Sequence, residues 1–599
     1  MGMLHAANAL RSAMIDSIPA AYQSFANATG DAYSEWAWAF TLLRPVPGDL
    51  GLIPLVAKIG LESIEQGRSV AALLPNLQAY AKAQSQQTWA ALLTAAQQAP
   101  WISIVKTLAT AGKDWEAGLK GRIISDQLKP FTQAFSSALH LASMAVEALP
   151  PLLDTAQHGS LTLLIVAQNN DELRATGGFI TALLRIRVDQ QGALAMEFLN
   201  SYAVDNPSRL AQHPAAPAAL QLFMDLPLWV FRDANWSPDF PASARTAARI
   251  YKLDQDDEPD VIIAVNLNVI RALTDVLGPL QVEGTTLPLD GDSVLTHIRH
   301  AWNIKPETFT DAGAKDFLKP FLTALLQAAQ NTELSRRANA LATIQTLLDQ
   351  RDVMLFSTLP DVQNTFSRYG WDGAQITPKP TTDYLMWVES NVGYNKVGPN
   401  ISRQAAYHIS LSDPSRPFAR ATIRFYNNNP LVSCADNAGV GSGTYEQRMV
   451  VCYWNLLRLY VPVGSTLLSQ NLASIAPENM VTRVGTIGGA SLYPDGMTRN
   501  AIEGLLLVPA GEMREAVFVY SLPGSIVEHN SDGTFTYRLT VQKQAGVPVY
   551  PLELTIDLPQ NAQIISASVP PLEGQSRHFN LDVLASGYAF SITYRLDAK

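Results

Sequence analysis

The hydrophobic pattern changes twice along the chain, and each change marks a new kind of architecture. Up to about residue 155, apolar positions recur every three or four residues, as in Leu61 with Ile64 and then Val70, Leu73, Leu74 and Leu77. That spacing predicts helix after helix. Proline and glycine punctuate the helices at RPVPGDLG (44–51), Leu74-Pro75, Ala99-Pro100 and Leu149-Pro150-Pro151. LTLLIVAQ (161–168) then breaks the period with a continuous apolar run of strand length, the pattern of a strand covered on both faces. FITALLRIRVD (179–189) alternates as the next strand, and ALAMEFLNSY (193–202) continues the sheet. A helix at SARTAARIYKL (243–253), a strand at DVIIAV (260–265) and a helix at LNVIRALTDVLG (267–278), stopped by Gly278 and Pro279, follow in turn. VMLFS (353–357), the helix around PDVQNTFSRYG (360–370) and DYLMWVES (383–390) fit the same α/β layers. From about 400 the helical period is gone. AAYHISLS, ARATIRFYN, LLRLYVPVG, AVFVYSLPG, FTYRLTVQKQ and LELTIDLP read as strands bounded by turn residues. The prediction is a multi-domain chain: an all-α stalk or bundle over 1–155, a layered α/β domain over 156–400, and β-sandwich modules over 401–599.

Composition narrows the class. At 599 residues the chain is too long for one core, and 47% apolar against 16% charged residues suits large, well-buried domains. A net charge of -10, with no basic stretch interleaved with aromatics, excludes nucleic acid as the expected partner. No run approaches the roughly 18 apolar residues of a membrane span. The start MGMLHAANALRSAMID lacks the basic-then-apolar order of a signal peptide. The two cysteines, Cys434 and Cys452, flank a glycine-rich interval without histidine. In an oxidising compartment they would form a disulfide; otherwise they are two unrelated thiols, one buried and one on a loop.

Phosphate loops, GxSxG elbows, HExxH helices and EF-hand loops are missing from the sequence. The acidic run DQDDEPD (254–260) reads as a solvated connection. His297 and His300 in THIRH are spaced for one helix face, but no carboxylate completes a zinc site. Three stretches remain. QNNDELRATGGFIT (168–181) follows a buried strand, at the edge where ligands of open α/β sheets bind. There Asn170 and Thr176 are polar contacts, Gly177 and Gly178 let a backbone come close, and Arg174 can fork onto a phosphate or carboxylate. Equally, its neighbours can cap a turn while Arg174 pairs with an acid of its own chain. FRDANWSPDFP (231–241) offers Asp233 and Asp239, two carboxylates on one loop that suit Mg²⁺ or plain turn chemistry. THIRHAWNIKPETFTDAGAKDFLKPFL (296–322) places Arg299 before a loop and sets Asp311 and Lys315 one helical turn apart.

Taken in order, QNNDELRATGGFIT, RDANWSPDFP and DVIIAVNLNVIRALTDVLGPLQVEG resemble the bacterial family catalogued as domain of unknown function 4012. The resemblance continues through MLFSTLPDVQNTFSRYGWDG, DYLMWVESNVGYNKV, RLYVPVGSTLLS and YRLTVQKQ. It implies an extracytoplasmic envelope protein, with a membrane anchor ahead of the helical region that this chain does not include. The central domain is similar, more distantly, to the LytR-CpsA-Psr family, which moves glycopolymers from a polyprenyl diphosphate carrier onto the wall or a protein. By that match Arg174, Arg232 and Arg299 would face the diphosphate and Asp233 would hold Mg²⁺. The chain departs from that pattern: a family Arg-x-Arg is reduced to Arg299 between His297 and His300, and the Arg-Gln pair after Asp311 is replaced by Lys315-Asp316.

Two functions compete. One is a surface protein that binds envelope glycan or assembles with copies of itself. The other is a Mg²⁺-dependent phosphotransferase acting on a lipid-linked glycopolymer, and it requires the three arginines to meet over one cavity.

Overall fold

The computed structural model describes residues 129–190, 194–301, 312–437, 443–572, 577–582 and 587–597, with a few residues between 110 and 120. Most of the expected helical stalk lies outside these residues. Its last part is a 30-residue helix, Lys129–His158, which crosses the expected boundary at 155 and packs on the sheet that follows.

That sheet has five strands: β1 (Leu161–Asn169), β2 (Phe179–Val188), β3 (Leu194–Asn200), β4 (Val261–Asn266) and β5 (Val353–Ser357). They lie in the order β3-β2-β1-β4-β5. Only β1 and β4 run parallel, and the helix Phe240–Gln255 lies between them in sequence. The other neighbours are antiparallel. The unbroken apolar runs have a direct cause in the packing. Leu164, Val166, Ile262, Ala264, Met354 and Phe356 point into one core with the helix Phe240–Gln255. Their neighbours Leu163, Val261, Ile263, Val353 and Leu355 point into the opposite core, with Lys129–His158 and Pro360–Arg368. Both faces are covered, so the middle of β1, β4 and β5 is apolar and polar residues such as Thr162, Asn169, Asn266 and Ser357 are confined to the strand ends.

The C-terminal region is two further sheets, of six and eight strands, sharing one apolar core. Its first strand, β6 (Asp383–Asn391), belongs to the eight-stranded sheet. β6 lies before the expected boundary at 400. DYLMWVES lacks alternation because every residue of β6 is buried, a pattern that resembles an α/β strand when read locally. The strand Tyr453–Pro462 beside it is likewise buried throughout. One face of each points into the two-sheet core. On the other, Tyr384, Met386, Val388 and Tyr460 pack with Ala175 of the α/β loop. The two regions also exchange residues: Leu173 sits in the core of the double sheet, and Ala545 sits in the α/β core.

Candidate functional site

The loop after β1 turns sharply because Asn169 caps it, its side chain accepting from the Asp171 amide at 3.0 Å. Gly177 and Gly178 close the turn. Gly177 has φ +124°, and a Cβ on Gly178 would stand 2.3 Å from the Asn169 carbonyl. The close approach these glycines permit here is to the chain's own backbone. Gln168 fastens the turn, accepting from the Gly178 amide at 3.1 Å and from Thr176 Oγ1 at 3.4 Å. Asn170 ties the loop to the helix after β4, with its oxygen accepting from the Leu267 amide at 3.3 Å, and to the Gly546 carbonyl.

This edge of the sheet is occupied by the C-terminal region. Arg174 is 2% exposed. It donates to the Asn391 carbonyl at 2.5 Å and to Glu172 at 2.9 Å, and it lies 3.7 Å from Asp233. Gln544 donates to the Arg174 carbonyl at 3.0 Å. Lys396, also buried, is ion-paired with Glu172 and sits 5.3 Å from the centre of the Phe179 ring. Burial would raise the Glu172 carboxyl, but Lys396 and Arg174 outweigh it and hold the group below its ordinary value. For Asp233 burial wins, and its carboxyl is pushed up despite Arg174 and Arg232.

Arg232 donates to Asp205 at 2.5 Å, stacks at 4.6 Å on the Tyr202 ring and lies 4.0 Å from Asp233. Arg299 makes a two-pronged pair with Asp171, at 2.8 and 3.0 Å. Asp171 also accepts from the Tyr445 hydroxyl at 2.7 Å. Thus Arg174 and Arg232 meet at Asp233, while Arg299 is engaged through Asp171. Each expected arginine is neutralised by a carboxylate of its own chain.

The expected metal pair is not brought together as a donor set. Asp239 caps the helix Phe240–Gln255, its two oxygens accepting from the amides of Ala242 at 3.2 Å and Gln375 at 2.9 Å. Asp233 faces two guanidinium groups, so these residues do not fit a divalent cation, whose ligands must carry lone pairs free of such cations. Among the described residues no group of three His, Cys, Asp or Glu is placed to hold a metal ion. Asp311 and the side chain of Lys315 lie outside the described residues. Cys434 and Cys452 are joined in a disulfide. Among the described residues no helix is long and apolar enough to cross a membrane.

Sequence reasoning missed Lys396, Tyr445, Asn391 and Gln544, which complete the cluster from far along the chain. The available signal was membership of family-like stretches, Asn391 and Lys396 in DYLMWVESNVGYNKV and Gln544 in YRLTVQKQ, whereas Tyr445 lies in none of them.

Comparison with solved structures finds matches that each cover little more than a third of this chain. Lin1025 from Listeria innocua is 15% identical, with 36% of this chain and 79% of that chain covered and a TM-score of 0.22. TagT bound to LI-WTA is 10% identical, with 36% and 90% covered and a TM-score of 0.21. TagU from B. subtilis is 10% identical, with 37% and 100% covered and a TM-score of 0.21. These scores transfer no residue role to this chain. No curated protein matches its sequence. Residues 158–301 match the model of the family described as Protein of unknown function (DUF4012).

Proposed function

We propose that the chain is a non-catalytic, extracytoplasmic surface protein that binds envelope glycan or assembles with copies of itself, using a LytR-CpsA-Psr-like α/β domain as a scaffold beneath a β-sandwich. One observation carries the reading. Arg174, Arg232 and Arg299 are paired with Glu172, Asp205 and Asp171, and Arg174 is sealed beneath the C-terminal region. An arginine that must stabilise a leaving diphosphate has to meet it. Placing the protein outside the cytoplasm rests on the Cys434–Cys452 disulfide, a bond that persists in oxidising compartments.

The test sets purified cell-wall glycan against the full chain in a sedimentation assay, with the association state followed by analytical ultracentrifugation. Co-sedimentation or ordered self-association, kept in Arg299→Ala, is the expected result. A clean monomer without glycan affinity ends the reading.

The second reading is the Mg²⁺-dependent phosphotransferase acting on polyprenyl diphosphate-linked glycopolymer. What favours it is that the side chains of Arg232 and Arg299 stay 21% and 22% exposed, within reach of a ligand. Transfer that needs Mg²⁺ and falls at least tenfold in Arg299→Ala would establish it in place of the first.

A further inference from the structure

The disulfide does not merely close a surface loop. Between its cysteines lies the short helix Tyr445–Met449, started by a reciprocal Thr444–Gln447 cap. Tyr445 is buried, and its hydroxyl donates to Asp171 and accepts from Asn169 Nδ2 at 2.8 Å. Three residues on, the Arg448 carbonyl accepts from the Lys396 amide at 2.8 Å, and Lys396 is the cation on Glu172. The Met449 carbonyl accepts from Asn400 and Asn429 at 3.1 and 2.9 Å. Both acids of the loop after β1, Asp171 and Glu172, are therefore held from one five-residue helix, and that helix lies within the stretch of chain that the disulfide closes.

We propose that the Cys434–Cys452 disulfide is a redox-sensitive clamp on the loop after β1. While it is closed, Tyr445 and Lys396 pin Asp171 and Glu172. When it is opened, the helix Tyr445–Met449 loses its tether, and the Asp171–Arg299 pair loosens. The chemistry needs a dithiol reductant. One thiolate attacks the Cys434 sulfur, the more exposed of the two, and Cys452 leaves as a thiolate that takes a proton. The second thiol of the reductant then attacks the mixed disulfide and releases Cys434. Two electrons and two protons end on the protein, and the reductant ends as a cyclic disulfide. The clamp goes beyond the proposed glycan binding and does not depend on it.

Amide hydrogen exchange on the full chain, with and without dithiothreitol, reads the clamp directly. Reduction is expected to speed exchange at least tenfold in peptides covering 169–178 and 445–449. A peptide over the strand Thr534–Val541, remote from the loop, should stay unchanged. Tyr445→Phe with the disulfide intact should reproduce the change at 169–172 alone, because it removes the hydroxyl without cutting the tether. Unchanged exchange at 169–178 after reduction overturns the clamp. So does an increase everywhere, since that is global unfolding, and so does a silent Tyr445→Phe.

Discussion

Two fully buried carboxyls in this molecule behave in opposite ways. Glu172, in the seam between the α/β sheet and the double sheet, is held below its ordinary value by Lys396 and Arg174. Asp383, in the core between the two C-terminal sheets, has no cation. It accepts from the hydroxyls of Tyr407 at 2.6 Å and Tyr537 at 2.7 Å, and burial pushes it up to about 6. Burial is the same, so the partner decides. A cation compensates for lost water where two phenols only partly do. The seam is thus a set of mutually dependent charges that fixes how two regions meet, whereas around Asp383 the double-sheet core offers phenols in place of cations; the buried Arg403–Glu389 pair elsewhere in that core follows the rule of the seam.

The comparison breaks first at Lys396. Lys396→Met leaves Glu172 with Arg174 as its remaining cation, a partner that Asp233 shares, and breaking this buried pair costs roughly 3–5 kcal/mol. Urea unfolding at pH 7 measures this. A loss below about 1 kcal/mol would show that the seam does not depend on its ion pairs. Adding Glu172→Gln should restore part of the loss, because the stranded charge goes with it.

Apolar exchange across the seam supplies the next effect. Leu173 leaves the α/β loop to enter the double-sheet core. Leu173→Ala should cost about 3 kcal/mol through lost burial and an unfilled cavity. If the two regions fold independently, the urea transition of this variant will split into two steps instead of shifting as one.

Asp383 sharpens the contrast by its pH dependence. Its folded value of about 6 lies above the unfolded 3.8, so the folded state holds the proton more tightly. The contribution is complete at low pH and fades as pH rises through about 6, amounting to about 3 kcal/mol in all. Asp383→Asn cannot titrate, so wild type should lose stability relative to it between pH 5 and pH 8. A constant difference over that range would mean that Asp383 is already fully ionised at pH 5.

Most of the α/β layers were legible in the sequence, because strands buried on both faces leave runs such as LTLLIVAQ that nothing else explains. β6 was legible as a strand but not as to its sheet. A strand covered on both sides looks alike in either region, and only its partners, Tyr453–Pro462 and Thr534–Val541, assign it. Charge is concentrated around Arg174, in the polar crowd that follows β1. What that crowd could not reveal was who meets the charge. Asn391 lies 217 residues away and Gln544 lies 370 away, and no local spacing encodes such a contact. Of the two readings open for Arg174, pairing with an acid of its own chain is the one found. Asp239 and Asn169 likewise turned out to bind backbone amides, the ordinary work of these residues in turns.

The smallest expected effect lies at the rim of the seam. His213 is buried with its Nδ1 3.0 Å from the Trp229 carbonyl and its Nε2 3.0 Å from Asp254. A carbonyl and a carboxylate both accept, so the ring must donate from both nitrogens and carry its positive charge. Burial works against that charge, but the bonds to Asp254 and Trp229 outweigh it and raise the histidine above its ordinary value. A raised base contributes fully below the unfolded value near 6.5 and loses the contribution as pH climbs past its folded value. The segment it holds carries Arg232 and Asp233, because Trp229 Nε1 donates to the Asp233 carbonyl at 2.9 Å. Deprotonation should therefore loosen residues 229–233 while leaving Asp383 and its two tyrosines in place. In an Asp383→Asn background, where that titration is gone, His213 should contribute its own fall in stability above pH 6.5. It should disappear in His213→Gln, whose side chain cannot gain or lose a proton. If it persists there, the histidine is neutral in the folded state, and one of its two bonds is not a hydrogen bond.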